Sequence, residues 1–189
     1  MITVVSGLPR SGTSMMMQML RAGGLAVLAD AARPADDSNP RGYLEDTRVK
    51  RVMQDAAWLG EADGKAVKIV APLLSYLPPG HDYRVVFMER DLDEVLASQA
   101  AMLARAGQTG ADPAVLRRAF YAQLERVKAW LAAQPNVQTC YVPYRAVVAT
   151  PQLEAERVAA FLDAGLDAAG LDAAAMARAV DPSLYRERG

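Results

Sequence analysis

The sequence predicts an α/β protein, a three-layer α/β/α sandwich around a central parallel sheet of four to five strands. Three observations carry this expectation. Short β-branched runs alternate with helical stretches, the runs are almost continuously apolar, and a glycine-containing turn joins the first run to the first helical stretch. Continuous apolarity marks strands buried on both faces, as a sheet covered by helices requires.

The elements follow in order. Residues 2–5, 66–70, 83–88 and 137–142 read as strands, with 25–28 a weaker fifth. Residues 13–22, 46–58, 91–105, 112–133 and 150–162 carry helical periodicity, and 172–179 reads as a last short helix. The 112–133 stretch is the clearest. Asp112 supplies an N-cap, Pro113 suits the first helical position, and Leu116, Phe120, Leu124, Val127 and Leu131 form one apolar stripe. No repeat or linker divides the chain, so residues 1–189 are expected to form a single domain.

Composition narrows the function. A chain of 189 residues can bury on the order of 70% of its unfolded surface, enough for a core without staples. Cys140 is the only cysteine and His81 the only histidine. A cysteine-rich zinc site and a multi-histidine metal site are thereby excluded, and no metal is expected. The formal net charge of -1 gives no field to attract nucleic acid or an anionic membrane, although 17 of the 21 basic residues are arginine. Local arginine sites for small anions remain consistent with that count. No apolar run approaches the ~18 residues of a membrane span, and the start at Ile2 breaks at Gly7, Pro9 and Arg10, unlike a signal peptide. The expected location is cytoplasmic. No feature sets an oligomeric state.

A parallel sheet of this kind binds ligands at the carboxyl ends of its strands. The first strand ends in Ser6-Gly7-Leu8-Pro9-Arg10-Ser11-Gly12-Thr13-Ser14, with the glycine spacing of a phosphate-binding loop. Gly7 and Gly12 let successive N–H groups, that of Ser11 among them, and a helix N-terminus converge on one oxyanion, and the hydroxyls of Thr13 and Ser14 add donors. The lysine that follows the second glycine in a Walker A loop is replaced by Thr13. Positive charge sits instead at Arg10, whose planar guanidinium suits a bidentate grip on phosphate or sulfate.

GLPRSGTS resembles the 5'-phosphosulfate loop of the sulfotransferases that use 3'-phosphoadenosine 5'-phosphosulfate (PAPS), above all the tyrosylprotein and bacterial branches, which carry arginine before Ser-Gly-Thr. Arg90, at a strand end, and Ser98, eight residues later, resemble the family's 3'-phosphate motif. The same spacing also serves an arginine that pairs with Asp93 or Glu94 beside an ordinary helix serine. Tyr144, in Tyr141-Val142-Pro143-Tyr144, resembles the tyrosine that the family places near the adenine. The resemblance implies a P-loop fold like that of the nucleoside triphosphate hydrolases. It also implies PAPS as donor, adenosine 3',5'-bisphosphate as product, and a small acceptor.

The same resemblance assigns roles. Arg10 and Lys68, the latter matching a family lysine on its strand, would neutralise the leaving oxygen. The cytosolic branch has a histidine two residues after that lysine, where this chain has Val70. His81 precedes its strand and so reads as a surface residue at the opposite end of the sheet. The tyrosylprotein branch uses a glutamate, for which the candidate is Glu45, expected at a helix start where the dipole would keep it ionised. Helix capping alone selects Glu45-Asp46 equally well. Met15, Met16, Met17 and Met19 are candidates for lining the acceptor pocket or for the core, and residues 29–42 for a lid over that pocket or a surface excursion. Arg186 and Arg188 resemble the family's late basic segment only loosely. The alternatives to a sulfotransferase are a P-loop kinase or nucleotide hydrolase, which the missing lysine disfavours, and a nucleotide-binding protein without catalysis.

Overall fold

The computed structural model describes every residue except 31, 37–38, 164–169 and 186–189. Five strands form one parallel sheet: β1 (Ile2–Gly7), β2 (Val27–Leu28), β3 (Ala66–Lys68), β4 (Tyr83–Glu89) and β5 (Val137–Pro143), in the order β2-β3-β1-β4-β5. The first strand is central. Its neighbours are in register at Val5 with Lys68 and at Gly7 with Met88, so the ends of β1, β3 and β4 meet at one edge.

Successive side chains of a strand point to opposite faces, and the core is accordingly double. On one face, Val5, Val86, Met88 and Val142 pack against helices α1 (Thr13–Ala22), α5 (Pro151–Asp163) and α6 (Ala173–Arg178). On the other, Ile2, Val4, Val85 and Phe87 meet Leu74, Leu59 and the end of α3 (Pro113–Ala133). These are the three expected layers. Helix α2 (Leu92–Arg105) lies between β4 and α3, and α4 (Tyr144–Ala149) follows β5 directly.

Local chemistry explains the boundaries. The Asp112 carboxylate accepts from the N–H groups of Ala114 and Val115 at 2.7 and 3.2 Å, with Pro113 after it, and α3 starts there as expected. Of the predicted stripe, only Val127 and Leu131 are buried, while Leu116, Phe120 and Leu124 are half-buried. Asp91 caps α2 in the same way.

The expected helix at 46–58 does not form. Two 3-10 helices, Thr47–Arg51 and Ala57–Ala62, take its place. Asp46 accepts from Arg48 N–H at 2.9 Å, and Asp55 accepts from Ala57 N–H at 2.9 Å. Each aspartate thus restarts the chain, and the periodicity came from Val49, Val52, Trp58 and Leu59 packing on the sheet from two short pieces. A further 3-10 helix, Ala71–Tyr76, was not foreseen, and the weak strand at 25–28 shortens to Val27–Leu28.

Candidate active site

At the carboxyl edge of the sheet a cleft of about 560 Å³ opens, lined by residues from the ends of β1, β3, β4 and β5. The turn after β1 is shaped by three left-handed residues. Gly7 has φ 147° and Gly12 φ 102°. A Cβ on Gly12 would stand 2.5 Å from Tyr144 Cδ2, so the tyrosine ring can pack on the turn only because position 12 is bare. Arg10 takes φ 69°, uncommon for a residue with a side chain. Arg90 Nη1 donates to the Arg10 carbonyl at 3.0 Å and thereby holds that conformation. Helix α1 begins at Thr13. The N–H groups of its first turn have no carbonyl partner within the helix, and Gly12, Thr13 and Ser14 line the cleft. The buried Ser11 hydroxyl has no hydrogen-bond partner among the described residues.

On one side of this turn stand the two arginines. Arg10 Nε donates to Ser98 Oγ at 3.1 Å, and Arg90 Nε donates to Glu94 Oε2 at 2.9 Å. Arg10, Arg90 and Ser98 are therefore brought together. The two sequence readings of Arg90 are not exclusive, because it pairs with Glu94 while its guanidinium stays at the cleft. Burial, opposed by Tyr43 and reinforced by Arg90, pulls the Arg10 guanidinium below its ordinary pKa. Two adjacent cations, with Glu94 buried behind them, thus face the cleft. Tyr144 lies over Arg90, its ring centroid 4.4 Å from the guanidinium carbon.

On the other side, Lys68 Nζ is surrounded by Ser14 Oγ at 2.9 Å, the Tyr43 carbonyl at 3.2 Å and Glu45 Oε1 at 2.9 Å. Lys68 is 5% exposed and Glu45 26%. Burial pushes the Glu45 carboxyl up, but Lys68 and then Arg33, at 3.3 Å, outweigh it and hold the carboxyl below its ordinary value. Burial lowers the Lys68 ammonium despite Glu45. Judged by the lysine alone the pair would look unfavourable, and by the glutamate favourable. The difference in exposure accounts for this: nearly the whole desolvation cost falls on the lysine, and the attraction itself keeps Glu45 ionised.

Glu45 is thus charged for a reason other than the one expected. It is not the first residue of an α-helix; Asp46 takes the cap of a single 3-10 turn, and the cations around Glu45 set its charge. Met16, Met17 and Met19 are fully buried in the core, and only Met15 of that run reaches the cleft. Residues Asp30, Arg33, Asn39 and Arg41 of the 29–42 segment border the cleft, and Arg41 donates to the Ala179 carbonyl across it. His81 sits at the opposite end of the sheet, where its carbonyl accepts from Asn136. Arg186 and Arg188 lie outside the described residues.

Several site residues were not singled out from sequence. Arg33 stacks 3.3 Å above the Tyr43 ring, whose hydroxyl donates to Asp36 at 2.9 Å, and Tyr185 reaches the arginine side of the cleft. Their neighbours are distant in sequence, and no spacing marks them.

Among the described residues no cluster of His, Cys, Asp and Glu could hold a metal ion, and no helix is long and apolar enough to cross a membrane. None of the curated proteins compared matches the sequence. Among solved structures, the sulfotransferase domain of the Synechococcus PCC 7002 olefin synthase superposes with TM-score 0.54 at 15% identity, covering 100% of this chain and 80% of that one. That likeness concerns the fold. An unliganded sugar kinase from Janibacter sp. HTCC2649 gives TM-score 0.47 at 17% identity over 86% of this chain and 94% of its own. A sulfotransferase domain of the curacin biosynthetic pathway gives 0.48 at 14% identity, over 86% and 73%. The family model described as "Sulfotransferase family" matches residues 47–168, from the first 3-10 turn past α5, and so includes Lys68, the Arg90–Ser98 segment and Tyr144. With well over half of its length matched, this chain belongs to the sulfotransferase family.

Proposed function

We propose that the protein transfers a sulfuryl group from PAPS to a hydroxyl or amine of a small acceptor by in-line displacement. The observation that carries this reading is the meeting of Arg10, Arg90 and Ser98 on one side of the β1 turn, with Lys68 and Glu45 on the other. A donor with a phosphosulfate at one end and a second phosphate at the other needs two cationic grips, and the neighbouring Arg10, on the β1 turn, and Arg90, beside Ser98, are the candidates for them. The first-turn N–H groups of α1, which begins at Thr13 on the wall of the cleft, supply further donors, so the residues present fit such a ligand.

When bound, PAPS supplies an activated sulfuryl group. Arg10, with the backbone of residues 10–14, would hold the 5'-phosphosulfate, and Arg90 and Ser98 the 3'-phosphate. Tyr144 would stand beside the nucleotide. Lys68 would place its positive charge beside the leaving oxygen. Glu45, kept ionised, accepts the proton of the attacking hydroxyl or amine as the new bond to sulfur forms. Transfer through a loose transition state needs chiefly positioning and charge, and this arrangement provides both.

The test is calorimetric titration with adenosine 3',5'-bisphosphate, beside AMP and ATP with Mg²⁺. Micromolar binding of the bisphosphate, far weaker binding of AMP, and at least a roughly hundredfold loss in Arg90→Ala are expected. Preference for ATP with Mg²⁺ would overturn the reading in favour of phosphoryl transfer.

A further inference from the structure

A buried carboxylate stands behind the two arginines, outside the lining of the cleft. Glu94 has a side chain with 0% exposure, yet it is ionised and fully used. Its Oε2 accepts from Arg90 Nε at 2.9 Å. Its Oε1 accepts from Arg145 Nε and from the Tyr185 hydroxyl, both at 2.6 Å. Tyr185 belongs to the carboxy-terminal segment, packs edge-on against Tyr144 at 5.2 Å, and places its own ring 5.5 Å from the Arg90 guanidinium.

Two effects of such a carboxylate compete. As a negative charge near a phosphate site it repels the ligand. As a fixed acceptor it holds one edge of Arg90, a long side chain with much rotamer freedom to lose on binding. Three donors already neutralise Glu94, so the repulsion is small and the positioning effect should win.

We propose that Glu94 is the positioning residue of the 3'-phosphate site: through Oε2 it sets the Arg90 guanidinium, and through Oε1 it ties α4 and the Tyr185 segment to that same arginine. The proposal rests on the donor reading above. Affinity for the second phosphate then depends on a residue outside the cleft, and the carboxy-terminal segment becomes part of nucleotide recognition.

The experiment is a titration of adenosine 3',5'-bisphosphate into wild type, Glu94→Gln, Arg90→Ala and the double variant, with thermal melting of each. Glu94→Gln keeps the shape but turns one accepting oxygen into an N–H donor, among partners that all donate to Glu94. Losing one charge-assisted contact should weaken binding of the bisphosphate about 10- to 100-fold. AMP, titrated at millimolar concentration, should change less than about twofold, because it has no phosphate for Arg90. In the Arg90→Ala background the Glu94 substitution should have almost no further effect, since its action passes through that arginine. Unchanged or tighter binding in Glu94→Gln overturns the proposal. So does a loss shared equally with AMP, or one that simply adds to that of Arg90→Ala, because either marks a general structural role. If wild type itself does not bind the bisphosphate, the donor reading fails first.

Discussion

Replacing Lys68 with methionine removes the ammonium and keeps the length of the side chain. Three acceptors lose their donor at once: Ser14 Oγ, the Tyr43 carbonyl and Glu45 Oε1. Removing one partner from a fully buried ion pair costs about 3–5 kcal/mol. Here Glu45 retains 26% exposure and the Arg33 contact, so water and a second cation recover part of the loss. The desolvation cost of Lys68 is also relieved. About 2–3 kcal/mol of stability at pH 7 is therefore expected to disappear, or roughly 4–12 °C in Tm for a chain of this size.

The pH dependence follows from Glu45. Its folded-state pKa lies below the ordinary 4.5, so its contribution is full above that value and is lost as pH falls through the folded pKa. The gap between wild type and Lys68→Met should accordingly be widest near neutrality and shrink below about pH 4. Urea unfolding at pH 7 and at about pH 3 measures both arms. A variant as stable as wild type at pH 7 would refute the reasoning, because burial of the ammonium would then outweigh its three contacts. A gap of constant size at both pH values would remove Glu45 from the account.

Two further predictions concern the chemistry and the turn. Glu45→Ala should lower turnover roughly 10²- to 10⁴-fold while leaving affinity for the bisphosphate nearly intact, as single-turnover kinetics beside calorimetry would show; unchanged turnover would leave a binding protein or another base. Gly12→Ala drives a methyl group against the Tyr144 ring at a φ of 102°, and should cost roughly 1–3 kcal/mol from strain alone. Adding Tyr144→Leu should restore part of that loss in thermal melting, and no restoration would place the strain in the backbone only.

The sheet was legible because strands buried on both faces need apolar runs, and Ile2 to Val5 of β1 and Val85 to Met88 of β4 supply them, whereas the edge strand β5 is buried only at Cys140 and Val142. The β1 turn was legible because its glycines answer a backbone requirement that only glycine meets easily, as Gly12 shows against Tyr144. Residues 46–58 were misread for a related reason. Apolar spacing alone cannot tell one helix from two short turns, whereas Asp46, which caps the first, and Asp55, which accepts from Ala57 N–H at the start of the second, carried the better signal. The cause of the Glu45 charge was beyond reach, since its cations come from positions 33 and 68 and meet it only after the sheet has formed. Glu94 was visible as a helical neighbour of Arg90, but not its bonds to Arg145 and Tyr185, 51 and 91 residues away.

The pairing of Val5 with Lys68 has a consequence for folding fidelity. In a half-exposed sheet a slip by one residue is punished at once, because every apolar side chain turns to water. This sheet is apolar on both faces, and that penalty is weak for a strand as short as β3. Lys68 is the one charged side chain of β3, and in the native alignment it alone finds three acceptors. Shifted by one position, it would enter the opposite apolar layer as a bare ammonium. The lysine thus pins the register of the strand that presents it, and a chain that has aligned β3 correctly has, by the same event, assembled this half of the candidate site.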